Sequence, residues 1–283
     1  MRIFVAGATG VVGRRVVPLL LADGHAVVGL ARSTGSAERI RAMGADAVVG
    51  DAMDAAAVRA AVESARPDVV MHQLTDLAGA DFAGNSALRV HGTRHLADAA
   101  AAAGARRFIA QSIAWAYAPG EEPADEDVPL DPTTDQPRRT TVDGVAALER
   151  ETARAPEWVV LRYGLLYGPG TWYWTDGAMA DRARTGELPA TADVASFVHV
   201  DDAAVAAVQA LSWPTGAVNV CDDEPAAGTE WTPAFCRAVG APEPPRSDRR
   251  AAFARGADSA HARHDLGWRP RWTTWREGFA AMS

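Results

Sequence analysis

Short apolar runs alternate with longer amphipathic segments through the first two thirds of the chain. This alternation is typical of a parallel β-sheet covered by helices on both faces, so the sequence predicts an α/β, Rossmann-type, doubly wound fold. The predicted strands cover residues 3–6, 26–30, 47–49, 69–72, 108–110 and 159–161, and the predicted helices cover residues 13–23, 36–43, 55–64, 86–103 and 142–153.

The regular alternation ends after residue 161, where segments rich in Gly and Trp follow, and it returns briefly at residues 197–200 and 218–220. We therefore expect one extended unit in which a smaller substrate-binding region is interleaved with the nucleotide-binding part. The predicted nucleotide-binding part comprises residues 1–162 and 197–221, and the predicted substrate-binding part comprises residues 163–196 and 222–283.

The segment 119–137 combines seven carboxylates with five prolines and contains no basic residue. Prolines interrupt regular structure and carboxylates favour water, so the segment is predicted to be a solvated loop. A loop of this length could also form part of the rim of an active site.

Composition narrows the possible partners. The 283 residues carry a formal charge of −8, which argues against a duplex nucleic-acid surface because such surfaces need clustered cations. No apolar run approaches the roughly 18 residues of a membrane span, and Cys221 and Cys236 lack metal-ligand spacing. We expect a cytoplasmic monomer or homodimer that acts on a small molecule, without a metal, nucleic-acid or membrane partner.

The chain contains no lysine, so all 28 residues of the Lys+Arg total are arginine. A coding sequence rich in G and C explains most of this depletion. Its chemical consequence is that no site in the chain can use an ammonium group. Arginine cannot replace lysine freely, because its guanidinium is planar and stays protonated.

A glycine-rich turn directly follows the first predicted strand and opens the first predicted helix. Glycines at this place let the chain turn tightly and let the backbone approach a pyrophosphate, while the helix N-terminus offers free N–H groups to the phosphates. The sequence therefore predicts a dinucleotide site. Its predicted contacts in this turn are Gly7, Thr9, Gly10, Val11, Val12 and Gly13.

The ends of the next strands predict which dinucleotide is bound. Arg32 and Ser33 follow the second strand, where a carboxylate suits the ribose 2′-hydroxyl of NAD and an arginine suits the 2′-phosphate of NADP. We therefore expect NADPH or NADP+ as the cofactor; a solvated loop arginine is the alternative reading. Asp51 and Ala52 are predicted to meet the adenine half of the cofactor, and His72, Gln73 and Leu74 the nicotinamide half.

Further motifs accompany the glycine turn at residues 67–72, 92–93, 161–170, 197–202 and 266–270. With them the chain resembles, over nearly its whole length, the extended short-chain dehydrogenase/reductase superfamily, in its NAD-dependent epimerase/dehydratase branch. The resemblance implies the fold and the cofactor class, but a fold alone does not settle function. It also places Arg162, Tyr163 and Gly164 among the residues that contact the cofactor.

In this family the proton donor is a tyrosine whose pKa is lowered by a lysine four residues later. Glu149 resembles the family's glutamate eight residues past that tyrosine, so Thr141 stands at the tyrosine position and Val145 at the lysine position. A threonine hydroxyl beside a valine is a poor general acid, because nothing brings its pKa near the operating pH. Ser112 lies one residue before Ile113, which stands where the family's Ser or Thr is expected.

Four tyrosines remain as alternative acids, and Tyr173 is the most interesting because Trp172 and Trp174 flank it in a segment that follows a Gly-Pro-Gly turn. These rings would either fill the edge of a core or form the walls of a pocket for a flat aromatic ligand. Ser112 and Tyr173 are therefore the candidate catalytic residues. The predicted substrate contacts are Ser112, Trp115, Tyr167, Trp172, Tyr173 and Trp174.

The first functional hypothesis is an NADPH-dependent ketoreductase that acts on an aromatic, polyketide-like ketone. Correct placement of nicotinamide and carbonyl supplies a large part of such a barrier, and the proton would come from water, Ser112 or a phenol on the substrate. Residues 111–119 and 275–278 resemble segments of atypical ketoreductases of antibiotic biosynthesis. The alternatives are a catalytically silent NADP-binding sensor and a sugar-nucleotide epimerase or dehydratase.

Overall fold

A computed structural model describes residues 1–77 and 81–282. Its strands are β1 Arg2–Ala6, β2 Ala26–Ala31, β3 Asp46–Val49, β4 Val69–His72, β5 Arg107–Ile113, β6 Glu157–Tyr163, β7 Leu165–Tyr167, β8 Val194–Ala195, β9 Phe197–His199, β10 Gly216–Val220 and β11 Ala226–Ala227. Seven of them form a parallel sheet in the order β10-β6-β5-β4-β1-β2-β3. The predicted α/β fold is confirmed.

Helices connect most of these strands, as a parallel sheet requires. They are α1 Gly13–Ala22, α2 Thr34–Ala42, α3 Ala55–Ala65, α4 Phe82–Ala87, α5 Thr93–Ala102, α6 Arg138–Thr152, α7 Ala178–Arg184, α8 Val200–Gln209, α9 Gly228–Ala238 and α10 Trp275–Ala280. Two π-helical turns occur at Leu88–Gly92 and His261–Asp265. In residues 1–77 and 81–282, none of the helices has the length and apolar character needed to cross a membrane.

Strand β1 organises the sheet. It lies between β2 and β4, with Ile3 opposite both Val27 and Val69, and four of its five residues are buried. Phe4 belongs to a core cluster that also contains Phe108 and Leu148. Because the strands are parallel, their carboxyl ends meet at one edge of the sheet, where ligands bind in open α/β folds.

Contacts between residues divide the chain into two compact units. The first unit has its own apolar core around Phe4, and the second unit has a separate core that includes Tyr167, Phe197 and Trp275. Residues 113–131 belong to the second unit, although the sequence assigned them to the nucleotide-binding part. The first unit comprises Met1–Ser112, Pro132–Leu161 and Ala204–Ala217. The second unit comprises Ile113–Asp131, Arg162–Ala203 and Val218–Ser283. Residue 283, the end of the predicted substrate-binding part, lies outside the described residues.

The structure corrects two local predictions in detail. The helix expected at residues 86–103 begins at Phe82, where Asp81 caps it by accepting from the amide of Gly84 at 2.8 Å, and the π-helical turn Leu88–Gly92 interrupts it. In the segment 119–137, Asp131 is buried, and the carboxylate of Glu126 accepts from the amide of Asn219 at 2.7 Å. A backbone donor therefore holds Glu126, whereas most of the acidic residues of the segment are exposed, as the composition predicted.

Candidate functional site

The glycine turn after β1 is closed by its own backbone. The amide of Gly10 donates to the carbonyl of Gly7 at 2.9 Å, and Gly7 adopts φ +95°, a conformation that favours glycine. A β-carbon on Gly7 would lie 2.5 Å from the carbonyl oxygen of Gln73, and one on Gly13 would overlap the carbonyl oxygen of Gly7. The turn therefore requires glycine at positions 7 and 13.

Helix α1 begins at the end of this turn with free hydrogen-bond donors. Its N-cap residue Val12 provides no side-chain cap, and among the described residues no backbone carbonyl accepts from the amides of Val11 and Val12. Thr9 and Gly10 remain accessible beside them. Such a helix N-terminus is suited to phosphate oxygens, so the turn fits the pyrophosphate of a dinucleotide.

Gln73 is a second residue suited to a bound ligand. Its side chain follows β4 and is only 3% exposed, yet neither its amide nitrogen nor its amide oxygen has a hydrogen-bond partner within the described part of the chain. A buried amide without partners costs free energy. Gln73 therefore fits a ligand group that both donates and accepts hydrogen bonds. Leu74, next in the chain, packs against the core and donates its amide to His72 Nδ1 at 3.2 Å.

The ends of β2 and β3 carry the residues predicted to contact the adenosine half. Arg32 is exposed directly after β2, and Ser33 caps α2 by accepting from the amide of Ser36 at 3.2 Å. After β3, Asp51 accepts from the amide of Met53 at 2.9 Å. Ala52 is buried, and its carbonyl oxygen lies 3.0 Å from His95 Nδ1. Arg32 is thus the exposed cation at this edge, whereas the Ser33 hydroxyl is already engaged.

A buried polar cluster of the first unit lies at the ends of β4 and β5. Ser112 is fully buried and donates its hydroxyl to Glu149 on α6 at 2.7 Å. Arg89, from the π-helical turn, is 5% exposed. Burial lowers the pKa of Arg89 to about 10, while the nearby charge of Glu149 acts in the opposite direction. The Ser112 hydroxyl is therefore committed to the carboxylate whose charge also acts on Arg89.

His72 completes this cluster as a neutral side chain. Its Nε2 atom lies 3.0 Å from the hydroxyl of Thr93, and the ring is fully buried. Burial, with a smaller effect of the Arg89 charge, lowers the pKa of His72 to about 4. At neutral pH the imidazole is therefore uncharged, and it holds the end of β4 against α5.

Helix α6 carries Thr141 and Val145, which the family resemblance predicts to stand at the tyrosine and lysine positions. Thr141 is buried on its first turns, and Val145, one turn later, is completely buried. Val145 contributes only apolar surface. A buried cation of this cluster is Arg89, which no motif of the sequence indicated.

Arg162 and Tyr163, two predicted cofactor contacts, lie at the end of β6 with their side chains in the interior of the second unit. Arg162 donates to the hydroxyl of Tyr117 at 2.9 Å and lies over its ring. Tyr163 donates to the carbonyl of Ala203 at 3.2 Å. A β-carbon on Gly164 would lie 2.7 Å from the carbonyl oxygen of Ser196, so this glycine permits a close backbone approach.

The second unit contains a cavity of about 370 Å³, within the size range of small-molecule sites. Trp115, predicted to contact substrate, lines it and is 38% exposed. Tyr173 also lines it, and its ring packs edge-on against Trp231 at a centroid distance of 5.8 Å. Burial raises the pKa of Tyr173 to about 12, so its phenol stays protonated. We call this feature the aromatic cavity; its lining includes Trp115, Tyr117, Gly164, Tyr173, Arg182, Asp193, Trp231, Phe253 and Arg255.

The other predicted substrate contacts do not line the aromatic cavity. Tyr167 is fully buried and packs against Phe197 and Phe279, at 6.4 and 5.4 Å between ring centroids. Trp172 and Trp174 are half-buried beside Tyr173. Ser112 belongs to the first unit. Trp231, Phe253 and the two arginines of the cavity were missed because they come from distant segments with no shared motif.

The parallel sheet and the glycine turn agree with the family to which known proteins relate this chain. The sequence profile described as the NAD dependent epimerase/dehydratase family matches residues 3–221, and the chain belongs to this family. A Streptomyces protein named 3-diazoavenalumate denitrifying reductase is 47% identical over 306 aligned positions, which cover 98% of this chain and 99% of that protein. The chain is therefore closely related to a reductase.

More distant relatives include enzymes of sugar nucleotides. A UDP-glucose 4-epimerase of Mycolicibacterium smegmatis is 29% identical, covering 96% of this chain and 94% of that protein. The structure of Bordetella bronchiseptica WbmG in complex with NAD and UDP matches with a TM-score of 0.80 at 23% identity, covering 100% of this chain and 93% of that one. This structural match supports the fold.

Proposed function

We propose that this protein is an NADPH-dependent reductase that transfers hydride to an electron-poor aromatic substrate without a proton donor from the protein. The observation that carries the proposal is the polar cluster of the first unit. Val145 is buried and inert, and Ser112 already donates to Glu149. When bound, the nicotinamide supplies the hydride. The glycine turn and Gln73 hold and orient the dinucleotide.

An aryl diazonium group is the acceptor that best suits such a site. Hydride adds to the ring carbon that carries nitrogen, a C–H bond forms, and the C–N bond breaks with its electron pair leaving on N₂. The cofactor is oxidised by two electrons and no proton is consumed, so the reaction needs no general acid. The name of the 47%-identical relative, a denitrifying reductase of a diazo compound, supports this choice.

Reduction of an aromatic polyketide-like ketone is the second candidate. The aromatic cavity favours it, because Trp115 and Tyr173 suit a flat ring and the protonated Tyr173 hydroxyl can donate to a carbonyl oxygen. The alkoxide formed would still need a proton from water or from a phenol on the substrate. A sugar-nucleotide reaction suits the site less well, since it must first remove a hydroxyl proton. A silent sensor would have no need of the aromatic cavity.

The absence of a protein acid can be tested at the two hydroxyls. We expect the double substitution Ser112→Ala with Thr141→Val to keep kcat for a diazonium substrate within about threefold, because neither hydroxyl donates a proton. A general acid would contribute roughly 100-fold or more. Loss of the Ser112 donor to Glu149 should lower the free energy of unfolding by about 1 kcal/mol. A kcat reduced 100-fold with unchanged KM would contradict the proposal.

NADP preference rests on Arg32, which is exposed directly after β2. We expect Arg32→Ala to raise KM for NADPH roughly tenfold or more, because a charge-assisted hydrogen bond to the 2′-phosphate contributes about 1.5–3 kcal/mol. KM for NADH should change little. Arg59→Ala, on the exposed face of α3, is the matched control. Equal effects of Arg32→Ala on both cofactors would rule out this role.

A further inference from the structure

One residue in the wall of the aromatic cavity has a hydrogen-bond donor without a partner within the described residues. Trp231 is 7% exposed, and its buried indole N–H has no hydrogen-bond partner within the described residues. A buried donor of this kind is normally paired. Tyr173, whose ring packs on Trp231, lies in the same wall with its phenol protonated.

Two arginines add positive charge to this cavity. The Arg182 guanidinium donates to the carbonyl of Glu187 at 3.0 Å, and the Arg255 guanidinium donates to the carbonyls of Glu122 and Ala118. Among the described residues, neither guanidinium forms an ion pair with a carboxylate. The charge of Arg182 is close enough to Tyr173 to favour its ionised form, although burial has the larger effect on that pKa.

The cavity lining also contains one carboxylate, Asp193, which already accepts a hydrogen bond from the backbone. Its Oδ1 atom accepts from the amide of Ala251 at 2.6 Å and so holds the segment that leads to Phe253. The remaining charge is that of two unneutralised guanidinium groups in a chain whose formal charge is −8. Arginine binds carboxylates with paired, charge-assisted hydrogen bonds.

From these contacts we infer that the aromatic cavity binds an aromatic carboxylate, with the ring against Trp115 and Trp231 and the carboxylate held by Arg182 and Arg255. This deepens the proposed function, on which it rests for the site's role in catalysis, by adding an anionic group to the substrate. A diphosphate, which carries more negative charge, is less suited because Asp193 lies in the same wall.

Calorimetric titration without cofactor tests the inference separately from catalysis. The probes are 4-hydroxycinnamate, its methyl ester and UDP, with wild type, Arg182→Gln, Arg255→Gln and the double variant. We expect the acid to bind at least tenfold more tightly than the ester, and the double variant to lose this preference. Arg237→Gln, an exposed arginine of α9 outside the cavity, should behave as wild type.

Several outcomes would overturn the inference: equal binding of acid and ester, no binding of either, an acid affinity unchanged in all arginine variants, or UDP binding more tightly than the acid. Thermal unfolding identifies any variant that fails to fold. If Arg255→Gln does not fold, Arg182→Gln still tests the inference, because Arg182 lies at an exposed position. Acid-selective binding without any reduction of a diazonium substrate would refute the proposed function and leave this inference standing.

Discussion

The substitution Gly13→Ala is expected to weaken cofactor binding by up to roughly 100-fold. A β-carbon at this position would overlap the carbonyl oxygen of Gly7 and lie 2.9 Å from the α-carbon of Ala8, so the turn must move. Overpacking costs about 1–3 kcal/mol, and the displaced amides of the turn no longer meet the phosphates. If this cost falls on binding, the affinity for NADPH drops by up to roughly 100-fold. Titration of the reduced cofactor by its fluorescence measures the change.

Gly35→Ala is the matched control for this prediction. Gly35 lies in α2 of the same unit, and no other described group comes within 4 Å of the place of its β-carbon. Alanine should therefore stabilise the helix by roughly 0.5–1 kcal/mol and leave NADPH affinity unchanged. If the Gly13→Ala protein bound NADPH as tightly as wild type, the glycine turn would not be part of the cofactor site.

Asp222→Asn is expected to stabilise the protein at neutral and alkaline pH. Asp222 is 2% exposed and its Oδ2 atom has no hydrogen-bond partner among the described residues. Burial raises its pKa from 3.8 to about 8, and two backbone hydrogen bonds only partly oppose this shift. The folded state therefore binds a proton that the unfolded chain releases, which costs stability wherever the pH lies above 3.8.

The pH dependence gives this prediction a definite sign. The stability contributed by protonated Asp222 is fully present below pH 3.8 and is lost as the pH rises to about 8. Asparagine does not titrate, so its advantage should reach about 2 kcal/mol at pH 8, after allowance for its unpaired amide. Near pH 4 the gain from removing the ionised carboxylate is almost gone while the cost of the amide remains, so the variant should be no more stable than wild type there, or slightly less stable. Chemical denaturation at both pH values measures it. The control is Asp223→Asn, which removes the ion pair with Arg263 and should show no such gain. An Asp222→Asn protein that is less stable than wild type at pH 8 would contradict the account of the Asp222 carboxylate.

The sequence predicted the parts of the structure that depend on local constraints. Gly7 and Gly13 were identifiable because only glycine tolerates the close approach of backbone in the first turn, and the structure places backbone oxygens where their β-carbons would be. The strands were recognised because a covered parallel sheet needs continuous apolar runs, as in β4, where all four residues are buried. These features require no knowledge of distant residues.

The features that the sequence did not predict depend on contacts between distant segments. Arg89 reaches the vicinity of Glu149 through a π-helical turn, which shifts the helical register and leaves no distinct sequence pattern. Arg182 and Arg255 are 73 residues apart and meet only as walls of one cavity. Tyr167 was expected to contact substrate because of its neighbours in the chain, whereas edge-on packing against Phe197 and Phe279 places it in a core.

The most direct test of the central claim follows the transferred hydrogen. The protein is incubated in ordinary water with the diazonium derivative of 4-hydroxycinnamate and NADPH deuterated at C4, each face labelled in turn. We predict release of one N₂ per NADPH oxidised and, with one of the two labelled cofactors, deuterium at the ring carbon that carried nitrogen. An incubation without protein corrects for uncatalysed reduction. Hydrogen from solvent at that carbon, or no reduction above the uncatalysed rate, would contradict hydride transfer without a proton donor.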